Sequence, residues 1–309
     1  MKLRIRFQIE SHPTLLERPH TALDLNNDRY SSTSTIEPVI KKNKTLFIMG
    51  ATCTGKSKLS VDIATHFQAE IINSDKMQFY KGLDIVTNKL AESERNGIPH
   101  HLLGFVEDPE ADFTAQDFSN HVNSTITQII NNGSLPIIVG GSNNYIKQLV
   151  ESPSSNFKEK FDSCFIWLDV AVPVLYEHAA KRVDLMVQSG LVEEVRSMVE
   201  PGSDYSRGVW RAIGVPEMDQ FLYAEKYNAD ERMKKIFLDL AIDRIKENTC
   251  RLVDSQLRKI HDMIYELGWE LHRIDATSVR EKDGEEAVEA WNKEVLEPSL
   301  EIVRDFLQG

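Results

Sequence analysis

The sequence predicts an α/β fold: a doubly wound parallel sheet flanked by helices, followed by a mostly helical C-terminal half. Three observations predict it. Short apolar runs alternate with amphipathic stretches from residue 44 to residue 170. A glycine-rich loop stands between the first apolar run and the first helical stretch. Beyond residue 174 the spacing is almost all helical.

The first predicted strand, 44–50, holds Thr45-Leu-Phe-Ile-Met49, enough for one buried strand. A helix over 56–67 follows, because Leu59, Ile63 and Phe67 recur at helical spacing. The spacing then predicts strand 69–74, helix 114–131, strand 136–140, helix 143–150 and strand 164–170. Val174–Gly190 and Leu191–Val199 are amphipathic, with Gly190 as the stop between them. Residues 230–266 form one long helical pattern, Leu271-His-Arg-Ile-Asp275 returns one more strand, and an acidic amphipathic helix follows from Val279. Met1 to Lys42 stands apart, with weak periodicity, Asn26-Asn-Asp28 and Ser31-Ser-Thr-Ser-Thr35. Two readings compete for it: a disordered tail, or the remnant of an organelle transit peptide. Arg4, Arg6, Arg18 and the Ser/Thr cluster favour a transit peptide, while Glu10, Glu17, Asp24 and Asp28 count against it. The expected organisation is therefore 1–42 as tail and 43–309 as one domain.

A chain of 309 residues, 41% hydrophobic and 27% charged, can bury a full core. No apolar run approaches the length of a membrane span. The net charge of −12 disfavours long-range attraction to RNA or DNA but leaves room for a local basic cleft. Cys53, Cys164 and Cys250 are scattered singly, which argues against a structural zinc and suits a reducing compartment. Cys53 lies in the glycine-rich loop, where a small residue is needed for packing.

That loop, Gly50-Ala-Thr-Cys-Thr-Gly55-Lys56-Ser57, is a complete phosphate-binding P-loop between a strand and a helix. Its glycines let backbone N–H groups point inward, the helix N-terminus adds partial positive charge, Lys56 reaches terminal oxygens and Ser57 can ligate Mg²⁺. It implies a bound di- or triphosphate. Whose phosphate it is stays open at this point. The strand Leu135-Pro-Ile-Ile-Val-Gly-Gly141 ends without the carboxylate that usually holds the metal, and Phe165-Ile-Trp-Leu-Asp169 offers only the general shape. Asp75 closes the strand Ile71-Ile-Asn-Ser-Asp75, at the sheet edge where α/β proteins place ligands. It is equally placed to cap the segment starting Lys76-Met-Gln. His100-His101 has the look of a metal pair, yet adjacent side chains diverge, which favours a structural role.

The run Asp75-Lys-Met-Gln-Phe-Tyr80-Lys-Gly82-Leu-Asp84-Ile-Val-Thr87-Asn-Lys89, with the P-loop and Ile98-Pro-His-His-Leu-Leu-Gly104, resembles the isopentenyltransferases that prenylate the exocyclic amine of adenine. The resemblance continues through Phe113-Thr-Ala-Gln-Asp-Phe118, Ile138-Val-Gly-Gly-Ser142-Asn-Asn-Tyr145, Arg182 to Met186, Gly190-Leu-Val-Glu-Glu-Val195 and Arg211-Ala-Ile-Gly214 to Gln256. It covers about residues 44 to 260 and is nearest to the adenylate isopentenyltransferases of plants. It implies a P-loop NTPase-like sheet whose loop cradles dimethylallyl diphosphate through Gly50, Thr52, Thr54, Gly55, Lys56, Ser57 and Arg182. It implies Asp75 as the general base at adenine N6, with Lys56 and Arg182 stabilising the departing pyrophosphate, and Mg²⁺ on Ser57. Ser74, Thr87, Lys89, Gly140, Gly141 and Ser142 would face the nucleotide. Arg207, Arg211, Arg244, Lys246 and Arg251 read either as a basic face for the acceptor's phosphates or as solvated surface. Arg211, Lys246 and Arg251 fall in matching stretches. Where relatives carry a basic pair before the residue matching Gln256, this chain has Asp254-Ser255.

Enzymes of the family that act on tRNA carry a helical insertion before the arginine-bearing helix, and many eukaryotic ones add a zinc finger. Here only Gln148 to Lys160 fills that place, and the cysteines are missing. With the acidic balance, these features point to a free adenine nucleotide, ATP or ADP before AMP, and to a cytokinin precursor as product, with neither nucleic acid nor membrane as partner. Plant relatives are often plastid proteins, which tilts the first forty-two residues towards a plastid address, the cytoplasm being the alternative. A tRNA dimethylallyltransferase, a P-loop kinase for a small metabolite, and a nucleotide-dependent switch are the other readings; a switch leaves the placement of Asp75 unexplained.

Overall fold

The computed structural model describes residues 42–309, so the readings of the first forty-two residues lie, but for Lys42, outside the described residues. The described strands are β1 (Asn43–Met49), β2 (Ala69–Asn73), β3 (His100–His101), β4 (Leu135–Val139), β5 (Phe161–Asp169) and β6 (His272–Asp275). They form one parallel sheet in the order β3-β2-β4-β1-β5-β6. β1 is central because it is apolar on both faces: Leu46, Phe47, Ile48 and Met49 are all fully buried. Register is fixed over seven residues against β5, from Asn43 opposite Phe161 to Met49 opposite Trp167.

The helices are α1 (Lys56–His66), α2 (Ala115–Asn131), α3 (Asn143–Glu151), α4 (Phe157–Lys160), α5 (Val172–Gln188), α6 (Leu191–Met198), α7 (Asp219–Lys226), α8 (Glu231–Tyr265), α9 (Thr277–Arg280), α10 (Gly284–Trp291) and α11 (Glu297–Gln308). Chain direction sorts them into two layers. The β1-α1-β2 connection runs opposite to the β3-α2-β4, β4-α3-β5 and β5-to-β6 connections. Right-handed crossovers therefore put α1 on one face and α2, α3 and α8 on the other. α11 packs on the face of α1.

Each predicted strand, and each predicted helix before Val279, is present with ends moved by a few residues. Thr114 caps α2 through its hydroxyl, which accepts from the Asp117 N–H at 3.2 Å, and Asp117 answers with the Thr114 N–H at 2.9 Å. Asp230 caps α8 by accepting from the Met233 N–H at 3.0 Å, and Gly190 breaks the chain between α5 and α6 at φ 102°. Two differences have physical causes. β3 is a two-residue edge strand, too short for any periodicity to reveal, and is held by the Ile71 N–H donating to Pro99 at 2.9 Å. The single terminal helix expected from Val279 is instead α9, α10 and α11, with one π-helical turn over Asn292–Leu296 before α11. The stretch between α3 and β5 holds only the turn Pro153–Ser155 and α4.

Candidate active site

The carboxyl ends of β1, β2 and β4 converge on one cleft of about 870 Å³. Its P-loop side begins at Gly50, where φ is 152° and a Cβ would collide with the Leu168 carbonyl. Gly50 and Thr54, both expected to touch a diphosphate, serve the loop itself. Gly50 permits the approach to β5, and Thr54 is buried with its hydroxyl donating to Ala51 at 3.0 Å. Thr52, Gly55, Lys56 and Ser57 do line the cleft. Gly55 opens α1 at φ 104°. The Lys56 ammonium crosses the loop and donates to the Ala51 carbonyl at 2.6 Å. Arg182, from α5, donates to the Thr52 hydroxyl at 2.7 Å and leaves its Nε buried without a partner.

Opposite the loop stands Asp75. Both readings of it hold: its Oδ1 caps the turn Lys76–Phe79 by accepting from the Met77 N–H at 3.1 Å, and the side chain lines the cleft. Asn73 fixes it from behind, accepting from the Asp75 N–H at 3.1 Å. Burial pushes its pKa above the usual carboxylate range, against the pull of the Met77 N–H and of nearby Lys56 and Arg182. Burial also lowers Lys56 to about 8, with Asp75 opposing. Gly140, Gly141 and Ser142 form the wall beside Asp75, and the Ser142 hydroxyl accepts from the Lys76 N–H at 2.8 Å.

One side chain joins the two glycine turns. Gln256, on α8, accepts from the Thr52 N–H at 2.7 Å and donates to the Gly141 carbonyl at 3.1 Å. Its own backbone oxygen accepts from Asn143 at 3.0 Å. This clamp needs both halves of one amide, and it sets the distance between the P-loop and the Asp75 wall.

Other expected residues are placed elsewhere. Ser74 is wholly buried behind Gly140, so it shapes the wall without facing it. Thr87 lines the cleft, though its hydroxyl donates to Leu83 at 2.7 Å. Lys89 turns away: Asn88 at φ 53° reverses the chain, and the ammonium settles on Gly82 at 2.6 Å and Asp84 at 2.8 Å. Lys246 pairs with Asp184 at 2.6 Å, and Arg251 is exposed beside Glu247 at 3.2 Å. Neither lines the cleft, whereas Arg211 does. Asp254 accepts from the Tyr176 hydroxyl at 2.6 Å, and Ser255 lines the cleft. Asp169 is engaged by Arg273 at 2.8 Å. His101 donates to the Glu70 carboxylate at 2.7 Å and His100 to the Ile98 carbonyl at 2.8 Å, which is the structural role expected of them.

The cationic residues missed in the sequence are Lys58, Lys76, Lys181, Lys259 and Arg280. All five line the cleft. With Lys56, Arg182 and Arg211 they bring eight cationic side chains to a cleft whose one lining carboxylate among the described residues is Asp75, in a chain of net charge −12. Such an inversion of sign marks a polyanion site. Lys259 was findable: Ile245, Thr249, Leu252, Gln256 and Lys259 recur at steps of three and four along α8, and Lys246 and Arg251 fall off that stripe. Among the described residues no group of three metal-binding side chains occurs. The donor set at the loop suits a Mg²⁺ held by the Ser57 hydroxyl and by ligand phosphate oxygens, since Mg²⁺ keeps much of its water.

The family model for IPP transferases matches residues 78–160 and 151–262. Over 268 residues the chain is 50% identical to adenylate isopentenyltransferase 5, chloroplastic, of Arabidopsis thaliana, covering 86% of this chain and 81% of that one. It is 46% identical over 294 residues to adenylate isopentenyltransferase 3, chloroplastic, of the same plant, covering 94% and 87%. Its fold matches a crystal structure of a eukaryotic dimethylallyltransferase acting on tRNA, with TM-score 0.68 and 24% identity over 86% of this chain and 80% of that one. The chain belongs to the IPP transferase family.

Proposed function

We propose that this member of the IPP transferase family moves a dimethylallyl group from dimethylallyl diphosphate to N6 of a free adenine nucleotide, releasing pyrophosphate, as a step of cytokinin formation. The observation that carries the reading is Asp75, the one carboxylate among the described residues that lines this cationic cleft, facing the P-loop. Adenine N6 is a poor nucleophile because its lone pair is drawn into the ring. An allylic diphosphate compensates by leaving early. The C–O bond to the diphosphate breaks as the N6–C bond forms, and the N6 proton passes to Asp75. Lys56, Arg182, Thr52 and the loop amides meet the charge that grows on pyrophosphate. Ser57 would hold Mg²⁺, whose contribution when bound is further neutralisation of the diphosphate. Lys76, on the Asp75 side, is available to the nucleotide's phosphates, and Arg211, which pairs with Asp112 at 3.3 Å, lines the same cleft.

The acceptor is tested by comparing kcat/KM for AMP, ADP, ATP and an unmodified tRNA, with product mass as the readout. ATP and ADP are expected to outpace AMP, and tRNA to be inert, since only a turn and α4 stand where tRNA enzymes carry their insertion. Efficient tRNA turnover would overturn the acceptor, and phosphate release from ATP alone would indicate a kinase. From the chloroplastic names of its relatives, the protein is assigned to the plastid. A fluorescent fusion of the full chain in leaf cells checks this, with mitochondrial or cytosolic signal counting against it.

A pH profile follows from the shifted groups. Lys56 is cationic below about 8, so kcat/KM should fall as pH rises through that value. A bound diphosphate holds the proton on, so the same limb in kcat should move to higher pH. Asp75 must be ionised, and its raised pKa puts the acid limb above the ordinary carboxylate range. In Lys56→Met the basic limb near 8 should vanish; its persistence would assign it to another group.

A further inference from the structure

We infer that Arg280 is a third cation of the leaving-group cradle, contributed by a segment beyond the stretch matched by the family model. The inference rests on the prenyl diphosphate reading of the P-loop. β6 ends at the same sheet edge as the P-loop strand, and α9 follows it directly. Three contacts pin the segment. The Ala276 N–H donates to the Asp169 carbonyl at 2.8 Å, the Ala171 N–H donates to the Thr277 hydroxyl at 2.9 Å, and the His178 ring donates to the Arg280 carbonyl at 2.6 Å. Further along, the Trp291 indole closes over α1, donating to Asp62 at 2.7 Å.

That anchoring presses the Arg280 guanidinium against the P-loop: a Cβ on Gly55 would collide with it. Its Nε is buried without a hydrogen-bond partner, and among the described residues no carboxylate lies within ion-pair distance of it. Burial lowers its pKa, with the neighbouring Cys53 thiol alone opposing the shift. Among the described residues Lys56 and Arg182 also lack an ion-pair partner, and all three face one cleft. Three unpaired cations beside an anion-binding loop are mutually repulsive until a polyanion arrives. A planar guanidinium over the loop is suited to two oxygens of one phosphate group.

The test uses inorganic pyrophosphate as the probe, titrated calorimetrically into the full chain, with Arg280→Met, Arg280→Lys and Lys56→Met compared with the parent. Arg280→Met should weaken pyrophosphate binding by ~10–100-fold, the range of a charge-assisted hydrogen bond. AMP binding should be unchanged, and Arg280→Lys should recover part of the loss. The melting temperature of Arg280→Met without ligand should hold or rise, because an unpaired buried charge has been removed. A structural brace would behave otherwise: melting several degrees lower with AMP and pyrophosphate weakened together overturns the inference. Parent-like pyrophosphate affinity in Arg280→Met, with Lys56→Met impaired, removes Arg280 from the cradle and leaves the diphosphate reading standing. Parent-like affinity in both variants sinks that reading and the inference with it.

Discussion

Asp75→Asn is expected to lower kcat for prenyl transfer by ~10²–10⁴-fold, the usual worth of a positioned general base. The substitution is nearly isosteric, and an amide oxygen can still cap the Met77 N–H as Oδ1 does. Asn73 continues to hold the backbone from behind. Fold and pyrophosphate binding should therefore survive while proton transfer fails. Stability gives a second readout. Because burial raises the Asp75 pKa, this group favours the folded state at low pH, and that contribution is lost as pH rises through the raised value. At neutral pH the Asn variant should melt no lower than the parent, and the two should converge on acidification. A folded Asn variant with near-parental turnover would reduce Asp75 to a turn cap.

Lys56→Met should cost ~10²–10³-fold in turnover, the typical loss of one preorganised donor to a developing anion. The ammonium lies across the loop, 2.6 Å from the Ala51 carbonyl, where an incoming diphosphate meets it with little rearrangement. Since its charge matters most when the allylic C–O bond is breaking, kcat should fall more than donor affinity. Nucleotide binding should be unaffected. Calorimetry showing AMP or ATP weakened, with pyrophosphate bound as in the parent, would reverse the assignment of the loop.

The sheet, the P-loop and the Asp75 strand end were legible because each rests on local pattern: an apolar run, a glycine spacing, a strand meeting a polar turn. The wall formed by Gly140, Gly141 and Ser142 was legible for the same reason. Long side chains were less so. Lys89 carries a plausible charge, yet one left-handed residue, Asn88, turns it back onto Asp84. Lys246 and Arg251 sit on the correct helix but on the wrong face, a distinction that appears once Gln256 anchors the stripe. Arg280 had no local signal. It reaches the loop only because β6 returns to the sheet's edge and a histidine on α5 holds the following turn. Applying the strand-end rule to β6 as well as to β2 would have drawn attention to it.

The amide of Gln256 has a chemical consequence of its own. Glutamate has nearly the same shape, but it would set an oxygen against the Gly141 carbonyl where an N–H now stands 3.1 Å away. It would also add an anion to a cleft built for anions. No mutation is needed to make that change, because side-chain amides hydrolyse slowly in water. Gln256 is only 6% exposed, on a helix packed over the sheet. While the chain stays folded, that burial keeps water from the amide. Only the accumulated time spent unfolded exposes it, and deamidation there would unlatch the two turns for good. The catalytic lifetime of a single molecule is thus tied to how seldom it opens.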